Sequence, residues 1–237
     1  KMAITKINGG VTAPKGFLAS GLNAGIKNQT KKDMAMVFSS TPCAAAGVFT
    51  TNLVKAAPVK WDKEIVTTSP YVQAVVVNSG IANACTGAEG LGYCADTAAA
   101  ALNIPKTAVL VASTGVIGKQ LPIDKIKSGV TALSKVLGSS REDAKLAAEA
   151  IMTTDTKSKE VACTFELGGK QVTIAGMCKG SGMIHPNMCT MLCFVTTDAA
   201  ISHELLQKAL SEDVVDTFNM ISVDGDTSTN DTVLVMA

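Results

Sequence analysis

Apolar and polar positions along this chain follow two rhythms. Short β-branched or apolar runs, bounded by Gly, Pro, Asn or Asp, predict strands at 46–50, 72–78, 108–113, 161–167, 171–175, 191–197 and 232–236. Gly168-Gly169, between the fourth and fifth runs, predicts a tight hairpin. Helical spacing appears at 92–102 and 123–137. In SSREDAKLAAEAIM, Ser140 can cap with Asp143, and Ala144, Ala147, Ala148 and Ile151 share a face. In ISHELLQKALSEDVVDTFNMI, Ser202 is the N-cap and Leu206, Leu210 and Phe218 contribute an apolar stripe. Strands interleave with helices, which predicts an α/β fold, and the hairpin predicts antiparallel or mixed sheets. The pattern shows no internal repeat and no linker.

Composition narrows the picture. Of 237 residues, 47% are hydrophobic but 4% aromatic, so the core is expected to be built from Ala, Val, Ile, Leu and Met. A net charge of +1 suggests neither nucleic acid nor an acidic membrane surface as partner. There is no apolar run of about 18 residues, and the opening KMAITKINGG lacks the apolar stretch of a secretory signal. Seven cysteines are scattered without a CxxC pair, which argues against a disulfide framework or a zinc site. They read as small buried hydrophobes in a reducing cytosol, so a cytoplasmic location is expected. The strand at 232–236 runs into Ala237 without a turn, so the chain is expected to be a fragment or one piece of a processed protein.

Histidine-based chemistry has little material. His203 follows a helix cap, and His185 precedes Pro186 in a loop. No GxSxG elbow, HExxH pair or dense His/Cys cluster is present, which leaves metal catalysis and a serine triad unsupported. STGVIGKQ at 113–120 lacks P-loop spacing, yet a Thr-Gly turn at a strand end can offer a hydroxyl and a backbone N–H. DGDTSTND at 224–231 lacks the Gly and Glu of a calcium loop and reads as a structural turn or a polar loop beside a substrate. VVVNSGIANACTG at 75–87 is a strand leading into a small-residue loop, either structural or close to a ligand.

The stretch KGSGMIHPNMCTMLCF at 179–194 changes abruptly from a Gly- and Pro-bearing loop to a strand, with Thr190 at the boundary. A threonine hydroxyl is a poor nucleophile without an adjacent base. Cleavage before Thr190 would supply one, an α-amine of ordinary pKa ~7.7–8.0 fixed beside the hydroxyl. Strain in the loop would favour attack of the hydroxyl on the Cys189 carbonyl, an N-to-O shift to a more easily hydrolysed ester. Thr also restricts χ1 more than Ser does. The alternative is a threonine that merely begins a strand.

KGSGMIHPNMCTML closely resembles the self-cleavage segment of the ornithine acetyltransferase family, also called bifunctional glutamate N-acetyltransferase, with Cys189 where alanine is common. The resemblance extends through GGVTAPKGF at 9–17, NSGIANACTG at 78–87, STGVIG at 113–118, TTDTKSK at 153–159 and SVDGDTSTND at 222–231. It implies a four-layer αββα sandwich with mixed sheets in the style of N-terminal nucleophile enzymes. It implies autocatalytic cleavage between Cys189 and Thr190, with 1–189 as an α chain and 190–237 as the first part of a longer β chain. It implies Thr190 as nucleophile, Thr114 and Gly115 as the oxyanion-binding pair, and Thr153, Lys179 and Thr190 as substrate contacts. The activity implied is ping-pong transfer of acetyl from N2-acetyl-L-ornithine to L-glutamate through an acetyl-threonine, in arginine biosynthesis. No cofactor is implied; acetyl-CoA is the starting donor in members that use it. Two α and two β chains are expected to associate. A self-processing amidohydrolase or aminopeptidase with the same nucleophile is the competing reading, and an α/β binding protein is the non-catalytic one.

Overall fold

The computed structural model describes residues 3–100, 103–183 and 191–237. Among these, in chain order, run β1 (Ile4–Ile7), β2 (Phe17–Leu22), β3 (Met34–Cys43), β4 (Ala45–Phe49), α1 (Ala57–Thr68), β5 (Val72–Ile81), α2 (Gly87–Ala99), β6 (Val109–Val116), α3 (Ile123–Ser134), α4 (Arg141–Ala150), β7 (Lys159–Leu167), β8 (Lys170–Lys179), β9 (Leu192–Thr197), α5 (His203–Asp216) and β10 (Thr232–Met236). They form a six-stranded sheet, β1-β7-β8-β9-β10-β4, and a four-stranded sheet, β2-β3-β5-β6. Both are mixed: β9/β10 and β5/β6 are parallel and the other pairs antiparallel. A parallel pair needs a crossover connection, which α5 and α2 supply.

The period-2 alternation of the strands sorts their residues into layers. Met34, Met36, Ala74, Val76 and Val111 of the four-stranded sheet pack with Ile126, Val130 and Leu133 of α3 and Cys94 and Ala98 of α2. Their alternates Ala35, Val37, Val75, Val77 and Leu110 face Met177, Phe194, Leu234 and Met236 of the six-stranded sheet. The far side of that sheet, through Cys193, Val233 and Val235, meets Leu206, Leu210 and Val214 of α5. The order is helix, sheet, sheet, helices, the four layers that the family resemblance implies. With so few aromatics, small side chains do the packing. Ala144, Ala147, Ala148 and Ala150 let α4 join the inter-sheet core against β2 and β3.

Local signals explain the elements that the apolar pattern predicts. Gly168 and Gly169, both at positive φ, close the two-residue hairpin between β7 and β8. Ser140 and Asp143 form a reciprocal capping box on α4. The Ser202 hydroxyl accepts the Leu205 N–H at the start of α5. Three strands and one helix fall outside the predicted runs. β1 is exposed, β2 carries Ser20 and Gly21, β3 passes through SSTP, and the apolar positions of α1 include a buried Asp62. α2 starts at Gly87, five residues before the predicted 92, in a glycine-rich segment that helix propensity disfavours.

α1 seals the open edge of β6. Its Trp61 Nε1 donates to the Val109 carbonyl at 3.0 Å, and its Asp62 Oδ1 accepts the Val111 N–H at 2.7 Å. An edge strand's unpaired backbone groups are thereby satisfied without a further strand. Beyond Thr190, β9 pairs with β8 and β10 pairs with β4, so both strands of the 191–237 stretch lie inside the six-stranded sheet. Among the described residues, no helix is long and apolar enough to cross a membrane.

Candidate active site

The site grows out of an irregularity between β5 and β6. Gly80 and Gly115 face each other in the ladder at φ +114° and +133°, a region that L side chains rarely adopt. A Cβ built on Gly115 would lie 2.2 Å from the Gly80 carbonyl carbon and 2.6 Å from the Ile81 nitrogen. Two glycines therefore permit a close backbone approach that no other pair would, and the register shifts there. As a result β6 runs on through Thr114, Gly115 and Val116. The sequence reading placed Thr114-Gly115 in a turn after a strand ending at 113; the paired glycines let the strand continue instead.

Thr114 and Gly115 line a cleft of about 420 Å³ together with Lys179, Thr153, Lys27 and the 228–230 segment. Lys179, at the end of β8, is almost fully buried, and its Nζ donates to Thr114 Oγ1 at 3.2 Å. An ammonium has no acceptor capacity, so the threonine oxygen is the acceptor in this bond and its own O–H remains available to donate. Burial lowers the Lys179 pKa below its ordinary value, while Asp155 and Asp231 nearby oppose that shift.

Asp231 stands at the start of β10, nearly inaccessible. Its Oδ1 accepts the Met191 N–H at 2.9 Å, and its Oδ2 has no hydrogen-bonding partner among the described residues. Burial raises the carboxyl to a pKa of about 8, against the lowering effects of the Met191 amide, of Ser228 and of the Lys179 ammonium. Desolvation thus pushes this acid and this base toward each other, a pattern concentrated at functional sites.

Two loops complete the walls. In the first, Asp155 accepts the N–H groups of Gly180 at 2.9 Å and Thr153 at 3.3 Å, and also pairs with Lys159. Burial raises its pKa, but the Lys159 bond and the two amides outweigh burial and hold it below the ordinary value. In the second, buried Asn230 donates from Nδ2 to the carbonyls of Ala82 and Ser113, both at 2.7 Å. The Ser228 hydroxyl accepts the Asn230 N–H. Within DGDTSTND, Asp224 accepts the Met183 N–H, a structural bond, and Ser228, Thr229 and Asn230 line the cleft.

Four residues singled out from the sequence, Thr114, Gly115, Thr153 and Lys179, therefore meet in one cleft although 65 positions separate the first from the last. Cys189, Thr190 and His185 lie outside the described residues. His203 is exposed on α5, with Nδ1 on the Ala45 carbonyl. Of the cysteines, the six described ones are free thiols. Sequence reasoning missed Lys27, Gly80 and Asp231. Gly80 and Asp231 lay inside quoted motifs, but nothing local showed that they would approach the 114–115 strand or Met191.

The ArgJ family model matches residues 18–237. The chain belongs to the ArgJ family. It is 56% identical to the arginine biosynthesis bifunctional protein ArgJ of Symbiobacterium thermophilum, over 97% of this chain and 58% of that protein. The Thermotoga neapolitana protein of the same name is 52% identical over 94% of this chain and 56% of its own length. The chain thus spans a little over half the length of these ArgJ relatives. Among solved structures, ArgJ from Bacillus halodurans superposes with a TM-score of 0.74 at 41% identity, covering 81% of this chain and all of that one. Ornithine acetyltransferase from Mycobacterium tuberculosis, solved with ornithine, gives 0.69 at 38% identity with the same coverage. An aminopeptidase from Ochrobactrum anthropi described as a variant of the Ntn hydrolase fold gives 0.61 at 11% identity, a likeness of fold alone. The α/β sandwich and the family resemblance read from the sequence are both borne out.

Proposed function

We propose that this chain carries the acyl-transfer site of an arginine-biosynthetic acetyltransferase, moving acetyl from N2-acetyl-L-ornithine to L-glutamate. The single observation that carries this reading is the Thr114 hydroxyl: held by Lys179 through its oxygen, it keeps its proton to donate. Such a preoriented donor suits a tetrahedral oxyanion, with the Gly115 N–H as its partner. One donor of this type contributes about 3–4 kcal/mol to the transition state.

Thr190 is the nucleophile in this mechanism. Its hydroxyl attacks the acetyl carbonyl, its α-amine takes the proton, and ornithine leaves with that proton. Glutamate's amine then attacks the acetyl-threonine and departs as N-acetylglutamate. Thr153 and Lys179 hold the amino-acid portion; an ammonium matches an α-carboxylate. The steps need no cofactor, and acetyl-CoA serves as an alternative first donor.

The α-amine arises by self-cleavage between Cys189 and Thr190. The coverage of the solved ArgJ chain supports this: it is matched whole by 81% of 237 residues, about 192, a length close to 189. The sheet explains how such pieces stay together. β9 hydrogen-bonds to β8 and β10 to β4, so residues before and after the cut share one six-stranded sheet. Two such α/β pairs form the assembly, in the cytoplasm.

Mass spectrometry of the full-length polypeptide tests the reading. Two pieces that part before Thr190, and an acetyl adduct on the Thr190 peptide after incubation with acetylornithine, are expected. Thr190→Ala is expected to stay intact and inactive; robust transfer by that variant removes Thr190 as nucleophile. Turnover of acetylornithine at full rate without glutamate identifies a hydrolase instead.

A further inference from the structure

Two cysteines face each other across the strands on either side of the cut. Cys178 of β8 and Cys193 of β9 are directly opposed in the antiparallel register. Directly opposed residues in such a ladder have Cα atoms about 4.5–5.5 Å apart and side chains on one face. A disulfide spans Cα separations of about 4.4–6.8 Å, so this pair can close without moving the backbone. Both thiols are free. Cys163 lines the same groove but stands opposite Ile174. Ile174 is four residues from Cys178 along β8, about 13 Å, which puts Cys163 beyond disulfide reach of Cys178.

The sheet gives the two sulfurs different surroundings. Alternation turns Met177 and Phe194 into the inter-sheet core, and Cys178 and Cys193 to the opposite face, at the margin of the α5 layer. A groove of about 430 Å³ opens on that face, with the exposed side chains of Val161 and Ile174 on its walls. Cys178 is half-buried there, and Cys193 is buried beside it. A hydrogen bond with the Cys193 thiol lowers the Cys178 pKa below the ordinary thiol value; burial opposes this, and the Lys159 ammonium, opposite Cys178 in the ladder, adds to it. The same bond and burial raise Cys193. Cys178 is therefore the attacking thiolate and Cys193 the resolving thiol.

We propose that Cys178 and Cys193 are a redox-reversible pair, oxidised by a low-molecular-weight disulfide to a cross-strand bond that ties together the two sides of the cut. Cys178 precedes Thr190 in the chain and Cys193 follows it. The tether rests on the self-cleavage reading; the disulfide itself does not. The Cys178 thiolate attacks one sulfur of the small disulfide, whose S–S bond breaks and whose other half leaves as a thiol. Cys193 gives up its proton, and its sulfur displaces the second small thiol from Cys178. Two protein thiols are oxidised, one small disulfide is reduced, and both thiol protons end on the two departing thiols. Excess thiol runs the exchange backwards, which suits a bond made transiently in a reducing compartment.

Incubation of the full-length protein with oxidised glutathione, followed by blocking of free thiols, tests this through peptide mapping and denaturing gels run with and without reductant. The tryptic peptide 171–179, which carries Cys178, is expected joined to the peptide carrying Cys193 and released from it by reduction. In cut protein, the two pieces are expected to migrate together without reductant and separately with it. Cys163→Ala is expected to keep the bond, and Cys193→Ala to abolish it. A linked peptide in a chain that stays uncut supports the disulfide and overturns the tether along with the cleavage reading. Cys178 carrying only glutathione in the parent, a bond from it to another cysteine, or free thiols throughout overturns the pair.

Discussion

Lys179 Nζ lies 3.2 Å from Thr114 Oγ1, joining the last residue of β8 to a residue two positions before the end of β6 and so bridging the two sheets at the cleft. Lys179 donates to the threonine oxygen, which leaves the threonine hydrogen to donate to the oxyanion in the proposed transfer. Thr114→Val keeps the shape and removes the donor. Its kcat for acetyl transfer is expected to fall by about 10²–10³ with KM little changed, as for loss of an oxyanion donor. Steady-state kinetics checks this, and a parental kcat excludes Thr114 from oxyanion binding.

Asp231 leads to a prediction about pH. Its folded-state pKa, about 8, exceeds its ordinary 3.8, so the folded protein retains a proton that the unfolded chain releases between those values. Stability associated with this group is complete below pH 3.8 and is lost as pH rises toward 8. Asp231→Asn retains an acceptor for the Met191 N–H and has no proton to lose. Urea midpoints at pH 5, 6.5 and 8 are expected to decline more steeply for the parent than for the variant; parallel curves count against a protonated Asp231.

Much of the fold was legible because it rests on local signals. The capping box at Ser140, the glycine pair at 168–169 and the apolar strands all announce themselves within a few residues. β2 and β3 did not, since Ser20, Gly21 and SSTP dilute a pattern that pairing across the sheet later satisfies. The site divides the same way. Thr114, Gly115, Thr153 and Lys179 were legible only because their motifs resemble a family's. Asp231 and Lys27 gain meaning from burial and from neighbours far away in the chain, namely Met191 for one and Met152 for the other, and no spacing encodes that.

Asp62 shows what the edge of the four-stranded sheet requires. Burial raises its carboxyl well above the ordinary value, while the Val111 amide pulls the other way. Asp62→Asn keeps an oxygen for that amide and removes the charge problem, so it is expected to unfold at higher urea than the parent at pH 8. Asp62→Ala leaves the Val111 N–H unpartnered at a cost of about 1–3 kcal/mol. Chemical denaturation of the two variants separates the effects, and equal midpoints for both deny Asp62 its place at the β6 edge.

Gly115 is the position where backbone geometry and chemistry coincide. A methyl group there meets Gly80 and Ile81 backbone atoms at 2.2–2.6 Å, and backbone cannot swing aside as a side chain can. Gly115→Ala must therefore part β5 from β6 just where Thr114 is presented. Backbone strain alone costs about 1–3 kcal/mol, and the clash adds to it. Gly118 makes the control: its φ is +79°, but an added Cβ meets nothing within 4 Å. Gly118→Ala should lose only about 1–2 kcal/mol from the left-handed conformation and keep its acetyl-transfer rate. Gly115→Ala should lose both stability and transfer, read by urea midpoint and by kcat. Equal behaviour of the two variants would show that positive φ, rather than the close passage of the two strands, governs this part of the cleft.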